Sequence, residues 1–318
     1  MTRGFSELAV QFGPSASLVG ILSRPLPEFE VRRTAVVILN TGIAHRIGHH
    51  RMYVTMARDL AKLGHLVFRF DFSGIGDSAG RDDSLSPTDA HQADLADALD
   101  WLTENCDVQD VVLIGLCAGA EIALRYGYKD QRVLGMVLLD PTVPPTPRFY
   151  AQYIARRLVS LRSWLSFASG RGRIWQELST RAKRAVGAEA RPAPGTMDDK
   201  VRNELEHLYG QALDRDLKLL IVLTAGTLDG RQNYREQLFD ALPNVPLRGR
   251  AQVEYYKDAD HTFTSPVARE RLQDLVYGWV GGFQDSDRAA GPADDSIENS
   301  EERSRMTVSP TRESAAGD

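Results

Sequence analysis

The segment Gly115-Leu-Cys117-Ala-Gly119 has the form G-x-C-x-G and lies between the apolar run Val111-Val-Leu-Ile114 and a helical pattern that starts at Glu121. A nucleophile carried on so tight a strand-to-helix turn needs small residues two positions before and after it, and Gly115 and Gly119 supply that room. The same turn aims the Ala118 amide and the positive end of the following helix at the thiol. Both favour a thiolate and an oxyanion developing beside it. A cysteine at the end of an apolar strand is more commonly a small buried hydrophobe, but the strand, turn and helix around Cys117 favour catalysis.

Such a nucleophile needs a base and a group to orient it. His261, in Asp258-Ala-Asp260-His261-Thr-Phe263, follows the last strand pattern, where an imidazole near neutrality can take the thiol proton and later return it; otherwise it is a loop histidine at the surface. Asp229, in the turn after the strand Leu217 to Leu223, is the expected orienting acid. Asp140, at the end of the strand Val133 to Leu139, is its rival, and Asp260 adjoins the histidine but is expected to point elsewhere. The order Cys117, Asp229, His261 is nucleophile, acid, base.

The second oxyanion donor is expected from the loop after Leu39, Asn40-Thr-Gly42-Ile43-Ala-His45-Arg46, where Gly42 lets the backbone approach a substrate and the Ile43 amide joins that of Ala118. Gly42, His45 and Arg46 are candidate substrate contacts. His45, His49 and His50 lack the accompanying carboxylate or cysteine spacing of a metal site, so no metal or other cofactor is expected. The Gly-rich turn Asp71-Phe-Ser-Gly74-Ile-Gly76-Asp-Ser78 lacks the lysine of a phosphate loop.

These residues need a scaffold, and the chain supplies one. Ala35 to Leu39, Leu66 to Phe70, Val111 to Ile114, Val133 to Leu139 and Leu217 to Leu223 read as buried strands. The helical patterns Met52 to Leu63, Asp89 to Glu104, Glu121 to Tyr128 and Asn233 to Leu242 fall among them, which calls for a mostly parallel sheet covered on both faces. Phe5 to Phe12 and Leu18 to Leu22 suit an antiparallel hairpin at a sheet edge, and Gln252 to Tyr256 and Pro266 to Trp279 close the series. About 75 residues between Leu139 and Leu217 hold no strand pattern, too many for a simple connection, and are read as a helical cap insertion. The expected organisation is a core over residues 1–140, a cap over 141–216, the rest of the core over 217–283 and an acidic disordered tail over 284–318.

The chain has 318 residues, with 42% hydrophobic and 25% charged residues, an ordinary globular composition that excludes collagen-like and wholly disordered chains. No apolar run approaches the roughly 18 residues of a membrane span, and Met1 to Gly13 lacks a signal-peptide core, so the cytoplasm is the default location. Two cysteines make no disulfide framework. The net charge of −5 equals that of the tail alone, with nine acids against four arginines, so the body is neutral. From Arg148 to Arg191, however, ten Lys/Arg face two acids. A basic cap at the site mouth, with Arg156 and Arg157 as candidate contacts, could attract coenzyme A phosphates or an acidic acyl carrier protein; the plainer reading is a solvated helix face. Nucleic acid is not an expected partner of a neutral body without interleaved aromatic and basic residues.

Through Asp71-Phe-Ser-Gly74-Ile-Gly76-Asp-Ser78, Gly115-Leu-Cys-Ala-Gly119 and Asp260-His261-Thr-Phe263, the chain from about Thr34 to Trp279 resembles the α/β-hydrolase superfamily of serine-aminopeptidase-like type. Within it, Ala44-His-Arg46-Ile-Gly48-His-His50-Arg51, the Gly-Leu-Cys elbow and the basic segment after Pro141 resemble the exosortase A system-associated hydrolases. In that group cysteine also holds the nucleophile position, which implies acyl ester or thioester chemistry. Ala118-Gly119 and Glu121 depart from its pattern and leave the substrate open. Two enzyme readings follow: a hydrolase that passes the acyl group from Cys117 to water, and an acyltransferase or cyclase that passes it to an alcohol or amine. A thioester acyl-enzyme suits both. A non-catalytic binding protein on the same scaffold is the third reading, and it would be marked by a missing triad member.

Overall fold

The computed structural model describes residues 4–28, 30–151, 194–226 and 233–283. Asp229, Arg156, Arg157, most of the expected cap and the tail from Gln284 lie outside the described residues. The described residues up to Gly282 belong to one compact unit.

Eight strands form a single sheet: β1 (Phe5–Phe12), β2 (Leu18–Pro25), β3 (Thr34–Leu39), β4 (Val67–Phe70), β5 (Asp110–Leu116), β6 (Val133–Leu139), β7 (Lys218–Gly226) and β8 (Ala251–Asp260), in the order β1-β2-β4-β3-β5-β6-β7-β8. β2 runs antiparallel to both its neighbours, and every pairing from β4 through β8 is parallel. The expected edge hairpin is therefore β1 and β2. The six residues of β3 are all buried, as a strand covered on both faces requires. β1, at the edge, is mostly exposed.

Among the described residues the α-helices are α1 (Met52–Lys62), α2 (Pro87–Cys106), α3 (Ala118–Gly127), α4 (Pro194–Asp214), α5 (Gln237–Ala241) and α6 (Pro266–Gly281). Ser86 caps α2 and Ser265 caps α6, each through its side-chain oxygen, with proline at the first helical position. One core joins Ala35, Val37 and Leu39 of β3, Leu113 of β5 and Leu138 of β6 to Leu99 of α2, Ala123 of α3 and Tyr209 of α4. The alternate strand residues Val36, Ile38, Ile114 and Val137 are equally buried and point to the opposite face of the sheet. Thus α4, at the end of the expected insertion, contributes Leu205, Leu208 and Tyr209 to the same core as α3.

The parallel strands carry the site at their carboxyl ends. From β3 the order departs to β4 on one side and β5 on the other, and at such a switch point the loops diverge and leave a crevice. The Asn40 loop and Cys117 flank it.

Candidate active site

Cys117 sits between β5 and α3 at φ 55°, ψ −115°, a backbone conformation that side chains rarely adopt. The surroundings enforce it. Its amide donates to the Leu139 carbonyl at 2.9 Å, and its carbonyl accepts the Glu121 amide at 3.1 Å. A Cβ on Gly115 would lie 2.2 Å from the Gly119 carbonyl carbon, and one on Gly119 would lie 2.5 Å from the Asn40 oxygen. The two glycines inferred to make room for the turn are thus the positions where a methyl group does not fit.

β8 continues past Tyr256 to Asp260, where Gly226 pairs with Asp260 after a register irregularity, and so delivers His261 to the same end of the sheet as Cys117. Asp260 itself turns away, as expected, and accepts from the Thr264 amide and hydroxyl, both at 2.7 Å. The His261 Nδ1 lies 2.5 Å from Asp140 Oδ2. The other Asp140 oxygen accepts the Thr224 amide at 2.8 Å, and the Asp140 amide donates to the Val222 carbonyl at 2.7 Å. Asp140 is buried and lies at φ 42°, a second strained residue at the crevice. The acid bonded to His261 is therefore Asp140, the rival in the sequence reading.

Burial opposes a charge on His261, but the bond to Asp140 and a side-chain hydrogen bond with Cys117 outweigh it and push the imidazole up to about 9. At neutral pH the ring is an imidazolium, set between a carboxylate and the sulfur. Tyr53 was not singled out from the sequence. It is fully buried; its hydroxyl accepts the Leu116 amide at 3.2 Å and lies 2.7 Å from Thr41 Oγ1.

On the other side of Cys117, residues Thr41 to Ala44 form a tight turn closed by the Ala44 amide donating to the Thr41 carbonyl at 2.9 Å, with Gly42 at φ +52°. The Ile43 side chain is 96% exposed. Ala118 is the first residue of α3, so its amide has no partner within the helix.

The turn is tied down behind by charge. Asp71, wholly buried after β4, accepts from Asn40 Nδ2 at 3.2 Å, the Arg46 amide at 2.6 Å, the Asp77 amide at 3.1 Å and the Arg46 guanidinium. Arg46 also reaches Asp77 at 2.5 Å. Its charge is spent on carboxylates. Gly76, at φ +57°, lets this carboxylate come close, since a Cβ there would lie 2.3 Å from Asp71 Oδ2. The Gly-rich turn thus serves to seat Asp71. Its glycines were visible in the sequence, but their partner was not.

His45 and His50 are exposed near the crevice, and His49 is half-buried. Burial lowers the pKa of His49, helped by the charges of His50 and His261 and opposed by Asp260. Among the described residues no group of three His, Cys, Asp or Glu could hold a metal ion, and no helix is long and apolar enough to cross a membrane.

Residues 35–186 match the family described as alpha/beta hydrolase fold. No curated protein matches the chain. Among solved structures, a hypothetical protein from Pseudomonas aeruginosa is similar at 16% identity over 88% of this chain and 94% of its own, with TM-score 0.56. An a/b serine hydrolase without lid from Xanthomonas campestris is similar at 15% identity over 90% and 98%, with TM-score 0.53. An alpha-beta serine hydrolase homologue from Coxiella burnetii is similar at 18% identity over 86% and 97%, with TM-score 0.53. At these identities the likeness is one of fold, and the chain has the α/β-hydrolase fold its sequence implied.

Proposed function

We propose, from the α/β-hydrolase fold and the crevice at its switch point, that the protein is an acyl-ester or acyl-thioester hydrolase working through a covalent acyl-enzyme on Cys117, with His261 as acid and base and Asp140 as the orienting acid. The observation that carries this reading is the His261 imidazole shared between Asp140 and Cys117, with Nδ1 2.5 Å from the carboxylate. That bond leaves Nε2 for the sulfur.

The reaction runs in two halves. The Cys117 thiolate adds to the acyl carbonyl, and the oxyanion is received by the amides of Ala118 and Ile43. Collapse expels the alcohol or thiol, which takes its proton from the His261 imidazolium and leaves a thioester on Cys117. Neutral His261 then takes a proton from water as the oxygen adds to the thioester. The second intermediate expels the Cys117 thiolate, and the carboxylic acid and the imidazolium ion pair result. Asp140 stays ionised throughout and holds the imidazole in register.

A second reading keeps the first half and replaces water with an alcohol or amine. It is supported by the nucleophile itself, a cysteine where two of the fold neighbours are described as serine hydrolases, because a thioester remains reactive toward such acceptors. The same cysteine and the segment Ala44–Arg51 keep the exosortase A system-associated hydrolases as the narrower family reading. Coenzyme A-linked or carrier-linked donors are the substrates that a basic segment around Arg156 and Arg157 would attract.

Mass spectrometry of the Cys117 peptide, after incubation with aryl esters, coenzyme A thioesters and carrier-linked thioesters, tests both readings. An adduct that decays in plain buffer supports the hydrolase; one that decays only when an alcohol or amine is added supports the transferase. No adduct from any donor on a folded protein would leave a binding protein.

A further inference from the structure

The two amides assigned to the oxyanion belong to loops that leave different strands, β3 and β5, and something must fix the distance between them. Tyr53, at the start of α1, touches both loops with one oxygen. It accepts the amide of Leu116, the residue before Cys117, and lies 2.7 Å from the hydroxyl of Thr41, which opens the turn bearing Ile43. Counting protons fixes the polarity. The Leu116 amide occupies a lone pair of the phenol, and the single phenolic proton, buried, needs an acceptor. Thr41 Oγ1 is the acceptor within reach among the described residues, so Tyr53 donates to Thr41 and the Thr41 hydroxyl proton points away from the ring.

The ring has no freedom to drift. It is fully buried, and Gly48, at φ +70°, makes space for it: a Cβ there would lie 2.6 Å from the ring. Burial pushes the phenol up to about 12, against its bonds to Thr41 and Leu116 and with help from the Cys117 charge, so it stays a donor at working pH. The Thr41 to Ala44 turn is exposed at Gly42 and Ile43; Asn40 and Asp71 hold it from behind, and Tyr53 is what ties it to the elbow.

We propose that Tyr53 is a positioning residue for acyl transfer, holding the Thr41 turn against the nucleophile elbow so that the amides of Ile43 and Ala118 converge on one oxygen. The inference rests on the reading of Cys117 as an acyl carrier. Donors of this kind act only within hydrogen-bond reach of the developing oxyanion, and a shift of about 1 Å costs on the order of 100-fold in rate.

Two reactions of the same sulfur separate positioning from general damage. Acylation of Cys117 by an activated aryl ester needs the oxyanion donors; alkylation by iodoacetamide needs only the thiolate. Both are followed by mass spectrometry of the Cys117 peptide in Tyr53→Phe, Thr41→Val and Thr41→Ser. Tyr53→Phe and Thr41→Val are expected to slow acylation at least about 10-fold while alkylation stays within about two-fold, and Thr41→Ser, which keeps the hydroxyl, is expected to restore most of the acylation rate. Unchanged acylation in the first two variants, or equal loss of both reactions, would overturn the proposal. If Tyr53→Phe does not fold, the contrast of Thr41→Val with Thr41→Ser decides it. Absence of acylation in the unaltered protein would instead remove the acyl-transfer reading itself.

Discussion

The two flanks of Cys117 are built in opposite ways. On the β3 and β4 side, the Asn40 to Arg46 loop is cross-linked through a wholly buried carboxylate, Asp71, which gathers Asn40, two backbone amides and the Arg46 guanidinium. On the β6 to β8 side, one carboxylate, Asp140, divides its oxygens between the Thr224 amide and a single ring, His261. In the proposed reaction the first flank presents the Ile43 amide to a charge that appears and disappears, and the second passes a proton at each half-reaction. Saturated hydrogen bonding suits the one, and an imidazole with one nitrogen on Asp140 and the other on the sulfur side suits the other.

The contrast yields three expectations. The largest effect belongs to the proton-handling flank: Asp140→Asn is expected to lower kcat by about 100- to 10,000-fold with the fold intact, because the imidazole loses its orienting charge. Steady-state kinetics on a small ester checks this, and a severe loss in Asp229→Asn with little in Asp140→Asn would reverse the assignment of the acid. Next, Arg46→Met leaves Asp71 buried without its cation. Urea unfolding is expected to show a loss of about 3–5 kcal/mol, with a smaller drop in kcat. If stability is unchanged and only KM rises, Arg46 serves the substrate and the flank is not braced as described.

The smallest effect is a shift in pH dependence. His261 is raised from its usual value to about 9, so its proton is retained through neutral pH and lost as the pH rises through about 9. Its contribution to stability is complete below about 6.5 and declines over that same interval. Protonation of the leaving group fails with it. The alkaline limb of kcat/KM is expected near pH 9 and is expected to move lower in Asp140→Asn; a limb at or below pH 7 in the unaltered protein would contradict the ion pair.

Much of this was legible before any coordinates. The strand runs announced the parallel sheet, since residues buried on both faces leave a continuous apolar signature, and Gly115 and Gly119 announced the elbow because only a tight turn demands both. His261 followed from its position after the last strand. The acid did not resolve in the same way: Asp140 and Asp229 both follow strands at the same end of the sheet, and sequence order does not say which of two adjacent loops reaches the ring. Arg46 read as a contact for substrate because its partner Asp71 lies 25 residues away, just after another strand. Tyr53 gave no signal at all. An aromatic residue in an amphipathic helix looks like core, and the work of its hydroxyl depends on Thr41 and Leu116, which only the fold brings together.

His261 is carried by β8, the last strand of the sheet, which among the described residues has β7 on one side and no strand on the other. An edge strand can detach while the interior strands remain paired. Because the imidazole stands just beyond its end, fraying of β8 would withdraw the base and leave the nucleophile elbow, embedded between β5 and α3, in place. Were β8 to fray first, inactivation would precede unfolding, and competence would melt from the rim inward, ahead of the β-sheet that supports it.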